Sequence, residues 1–187
     1  MENQIYTPSS LDGPLRQGEI LSNVIQLKLI LESIDTSPPR FLPHIHPFAI
    51  VISQDCDLDW DFHGRRTDGG KLIPNVLLCE ADTATGLRNQ AEMNGGIWKN
   101  IPQNKNERYH FLQAIKSTED ALGAGITELA IDFKRYFTLP TDELYVRLQR
   151  QETRRHCRLV SPYLEHFSTR FGYFQFRIAL PENHFSV

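Results

Sequence analysis

At 187 residues, 40% hydrophobic and 23% charged, the chain has the composition of a folded globular domain, which excludes a disordered or fibrous protein. The length suffices for one domain with a substantial core. A net charge of −3 excludes a global polyelectrolyte attraction to nucleic acid. The three cysteines, Cys56, Cys79 and Cys157, have no CxxC or zinc-type spacing, as expected of a reduced, cytoplasmic compartment. The opening MENQIYTPSSLDG has neither a basic nor an apolar leader region, and no apolar run reaches membrane length. A non-secreted protein with no membrane association is expected.

In chain order, residues 1–14 read as a flexible lead-in and 15–187 as a single domain. GEILSNVIQLKLILESI, from Gly18, has the β-branched content of one long bent strand or two paired ones. DTSPPRFLPHIHP holds four prolines and reads as a long connection. FAIVIS is a continuous apolar run, as expected of a central strand buried on both faces. The acidic run after it reads as that strand continuing, and HGRRTDGGK as a turn. LIPNVLLCEA is the next strand, with Pro74 marking its start. Residues 83–106 suggest a short helix and an irregular polar segment.

RYHFLQAI is a further strand, and ITELAIDFKRYFTL a strand pair. PTDELYVRLQRQ has Pro and acids in its first turn, where a helix favours both. HCRLV reads as a last strand. SPYLEHFSTRFGYFQFRIAL opens with a Ser cap, and Leu164, Phe167, Phe171 and Phe174 recur at helical spacing. That stripe reads as core or a partner groove. The expected fold is α+β: a strongly curved, mostly antiparallel sheet or barrel with a C-terminal helix.

RQGEIL, then HPFAIVIS, then ITELAIDFKRYFTLPTDEL resemble the layout of the MazF/PemK (Kid/CcdB-like) toxin family, over about half the chain. SQDCDL and the closing segment resemble uncharacterised bacterial proteins carrying Ser-Gln-x-Cys-Asp. The toxin resemblance implies an SH3-like β-barrel with insertions, dimerisation, and metal-independent RNA cleavage without a cofactor. It places Ser53 at the strand-end hydroxyl, and Asp132 and Arg135 at the Asp and Arg of the late strand. The chain departs at Thr138, where many members carry an acid, and at PHIHP, which replaces paired basic residues. His44 or His46 would then serve as acid or base.

As a continuing strand, the acidic run would put Asp55, Asp57, Asp59 and Asp61 on one face. Facing carboxylates repel and attract a hard cation. A solvated strand end is the bland reading, preferred for Asp59 and Asp61, whereas Asp55 and Asp57 follow a buried strand, a common place for sites. The calcium-loop match lacks its Gly and closing Glu. His44 and His46 form an H-x-H pair, which places both imidazoles on one face of an extended segment. With Asp55 or Asp57 they would make a two-His, carboxylate metal site; otherwise they are exposed loop histidines. Cys56, flanked by carboxylates, is expected as a buried, unreactive thiol.

Residues 134–177 hold nine Lys/Arg against four acids. Arg147, Arg150, Arg154, Arg155 and Arg158, with interleaved Tyr and Phe, suggest a surface for RNA or a protein partner. The alternative is a solvated helix face with internal ion pairs. Three functions follow. The first is a bacterial toxin–antitoxin or defence protein that binds RNA or a partner, or homodimerises. In its nuclease form Ser53, Asp55, His46 and Arg135 act in catalysis. The others are a non-catalytic interaction module and a divalent-metal hydrolase using His44, His46, Asp55 and Asp57.

Overall fold

The computed structural model describes residues 4–67 and 69–177. All strand pairings are antiparallel, in one seven-stranded sheet: β1 (Tyr6–Pro8), β7 (Arg154–Leu159), β2 (Glu19–Leu29), β3 (Phe41–Val51), β4 (Asn75–Thr83), β6 (Leu129–Pro140), β5 (Tyr109–Leu112). The fold is α+β. The strand order ends at β1 and β5, which do not pair with each other, so the sheet is not closed into a barrel among the described residues.

Helices cover both faces. Phe167 and Phe174 of α5 (Tyr163–Gln175) join Ile50, Ile131 and Phe133 in one core. Leu58 of α1 (Asp55–Thr67) and Leu144 of α4 (Thr141–Gln149) join Val51, Val76 and Leu78 in another. Burying each large apolar side chain contributes roughly 1.5–3 kcal/mol. Two short helices, α2 (Ala84–Arg88) and α3 (Gly95–Trp98), stand where the polar segment was expected to be irregular after one helix.

Four expectations change. Residues 4–14 are not loose: β1 pairs with β7, and Tyr6 is buried. The proline-rich segment is not only a connection, because β3 begins at Phe41 and pairs with β2 from Leu29 back to Ile20. Over 41–47 only β2 pairs with β3, so this stretch is an edge, where proline is tolerated. The acidic run is the start of α1, not a strand; Asp55 and Asp57 occupy its first turn and Arg65 and Arg66 its last, matching the helix dipole. The predicted strand pair at 126–139 is one strand, β6. The C-terminal helix forms as expected, except that Pro162 is its N-cap and no side chain caps it.

One local feature positions the site. Asn23 takes φ 53° within β2. Side-chain alternation shifts across it: Ile20 lies in the α5-side core, but Val24 joins Leu21 in the other. His46 pairs with Val24, so it follows onto the α1/α4 side, the side of Leu78 and Glu80.

Candidate functional site

β4 and β6 pair Cys79 with Tyr136, and Ala81 with Ile131. Glu80 alone therefore faces four residues of β6, a bulge of the kind that re-aims side chains. The bulge brings Arg135 Nη1 to 2.5 Å from Glu80 Oε1. On the other side His46 Nδ1 lies 2.7 Å from Glu80 Oε2. The His46 ring stacks on Phe137 at 3.9 Å and 8°. His44 meets it edge-on, with ring centroids 4.5 Å apart. One donor atom from each of His44, His46 and Glu80 lies within 4.8 Å of the other two.

His46 Nε2 is buried and has no hydrogen-bond partner among the described residues. A buried imidazole nitrogen without a partner costs free energy. Burial alone would raise the Glu80 carboxyl, but the His46 hydrogen bond and the Arg135 charge hold it below its usual value. Burial, then the facing His46, lowers His44. The arrangement gathers a carboxylate and two imidazole rings, a donor set for zinc-like ions.

Of the predicted site residues, His44, His46 and Arg135 come together, while Ser53, Asp55 and Asp57 do not join them. β3 advances roughly 16 Å between His46 and its end at Val51. Ser53 Oγ accepts from Leu77 N at 2.9 Å, and Asp55 Oδ1 from Gln17 N at 2.7 Å. Both tie down the start of α1. Asp57 is exposed. The carboxylate beside the histidines is Glu80, whose signal was an acid within the apolar run LLCEA. A buried acid requires a partner.

The bland reading of Asp59 and Asp61 fails for Asp61. It is fully buried, bonded to Arg65 at 2.7 Å, and accepts from Ile73 N at 2.9 Å. Asp59 pairs with Arg16 at 3.0 Å. Cys56, expected to be buried, is exposed on the first turn of α1. Asp132 is taken by Arg108 at 2.5 Å.

The basic surface is largely neutralised. Arg155 is buried, forks onto Glu19 at 2.5 and 2.9 Å, and donates to the Gly13 and Pro14 carbonyls. Arg147 binds Glu143 and Glu152 at 2.7 and 3.1 Å. Arg150 lies 3.9 Å from Glu152, Arg154 is exposed, and Arg158 is half-buried. No helix among the described residues is long and apolar enough to cross a membrane. Neither protein-family models nor curated proteins give a match to the chain.

Proposed function

We propose that the chain binds a zinc-type dication through His44, His46 and Glu80 and uses it to hydrolyse a phosphate-bearing substrate. The convergence of one donor atom each from His44, His46 and Glu80 within 4.8 Å of one another supports this most directly. Held by these three residues, such an ion would supply a water of lowered pKa as nucleophile toward phosphorus and charge stabilisation as the P–O bond to the leaving alcohol breaks. Arg135, half exposed beside Glu80, would hold the substrate phosphate.

A second reading is favoured by one observation: His46 and Arg135 converge on a single carboxylate without needing a metal. It is cleavage of RNA by a toxin or defence protein, and the SH3-like barrel ancestry belongs with it. Glu80 would take the 2′-hydroxyl proton as that oxygen bonds to phosphorus, the bond to the 5′-oxygen would break with water protonating the leaving oxygen, and Arg135 would stabilise the charge. The exposed Leu27, Phe41, Leu42 and Ile45 on the β2–β3 arm support a protein partner under either reading.

Hydrolysis of bis-(4-nitrophenyl) phosphate and of an RNA oligonucleotide, each with zinc or EDTA, separates the two. Zinc-dependent turnover lost in His46→Ala supports the first. Chelator-insensitive RNA cleavage lost in Arg135→Ala supports the second. Turnover of neither substrate sinks both.

A further inference from the structure

A separate cluster joins Ser22 on β2, His156 on β7 and Asp120 in the loop before β6. His156 Nε2 lies 2.8 Å from Ser22 Oγ, and His156 Nδ1 lies 2.9 Å from Asp120 Oδ1. The sheet builds this relay. β2 and β7 pair Ile20 with Cys157 and Leu21 with Arg155, so His156 is the extra residue of a bulge. Asp120 is 5% exposed and accepts backbone N–H groups from Leu122, Ala124 and Gly125.

Burial alone would raise the Asp120 carboxyl, but the Leu122 amide and His156 bonds hold it below the usual carboxylate range. An anionic Asp120 keeps the proton on Nδ1, and Nε2 is then free to accept from the serine hydroxyl. Ser22 is half-buried. Directly across from it on β7 stands Arg154, exposed and without an ion pair among the described residues. Asn23, the next residue, has the left-handed φ of 53° noted above, a backbone strain that gathers at functional positions.

We infer that Ser22, His156 and Asp120 form a nucleophilic relay for ester hydrolysis, with Arg154 favouring esters that carry a negative charge. Ser22 Oγ bonds to the ester carbonyl carbon as its proton passes to His156 Nε2. The bond to the alcohol oxygen breaks, and the alcohol leaves with that proton. Water, deprotonated by the same nitrogen, releases the acid and restores Ser22. Asp120 is a positioning residue.

The test is labelling of the full chain by a fluorophosphonate probe, read by intact and peptide mass spectrometry. The expected result is one adduct, on Ser22, formed with loss of fluoride. His156→Gln should label about 100-fold more slowly or worse. Asp120→Glu should retain more of the rate than Asp120→Asn. A folded wild-type protein with Ser22 unlabelled overturns the inference without any variant. So does labelling of His156→Gln at the wild-type rate. For Arg154, the wild type should prefer a 4-nitrophenyl succinate monoester to 4-nitrophenyl acetate, and Arg154→Ala should lose the preference. Equal wild-type rates on the two esters overturn that assignment.

Discussion

Acid should cost the chain stability through His110. It lies in β5, 3% exposed, edge-on to Phe167 at 5.2 Å and near Phe133 at 6.1 Å. Its Nδ1 has no hydrogen-bond partner among the described residues. Burial, with smaller contributions from the Arg170 and His166 charges, pushes its pKa from 6.5 down to about 3. Between those values only the unfolded chain takes up the proton, so acid favours unfolding. The stability is fully present above pH 6.5 and falls as pH drops toward 3. At about 1.4 kcal/mol per pH unit, the loss is about 2 kcal/mol at pH 5 and about 4–5 kcal/mol near pH 3. Urea unfolding of wild type and His110→Phe at pH 7 and pH 5 isolates it. Whatever the variant's stability at pH 7, wild type should lose about 2 kcal/mol more on acidification. Equal losses, or an NMR titration of His110 near 6.5, would refute the reasoning.

Other perturbations have defined outcomes. Arg155→Ala strands the buried Glu19 and should cost about 3–5 kcal/mol in urea unfolding, whereas a phosphate-binding Arg155 would cost little stability. Asp61→Ala removes the acceptor of both Arg65 and Ile73 N and should cost about 3 kcal/mol, with loss of helical circular dichroism if α1 detaches. Phe167→Ala opens a cavity under α5 and should cost about 3–5 kcal/mol, while the exposed Tyr173→Ala stays within about 0.5 kcal/mol. Comparable thermal shifts in the last pair would mean that α5 is not packed by that stripe.

Much of the fold was legible because its signals are local. FAIVIS, the Pro- and acid-started α4, and the 164–174 apolar stripe each declared an element through a few adjacent residues. The acidic run misled because its alternating Asp residues mimic a strand, while acids in a first turn and arginines in a last turn equally favour a helix. The prolines of β3 were read as breakers; only the pairing shows that one edge of that stretch is open. At the site, H-x-H was legible as a spacing, but its carboxylate partner was not. Glu80 meets His46 through an alternation shift at Asn23, and Arg135 through a bulge on β6, neither of which a single strand's sequence reveals. Ser22, His156 and Asp120 are still less visible, since a bulge and a loop bring together residues 134 and 36 positions apart.

Zinc titration of the purified chain, with cobalt as the spectroscopic surrogate, tests the His44–His46–Glu80 centre most directly. One equivalent should bind, give the visible bands of a low-coordinate cobalt site, and raise the melting temperature, which EDTA reverses. Binding should vanish in His46→Ala and persist in Asp55→Asn. No saturable binding, or binding that survives His46→Ala unchanged, would contradict the assignment of this cluster as a metal centre.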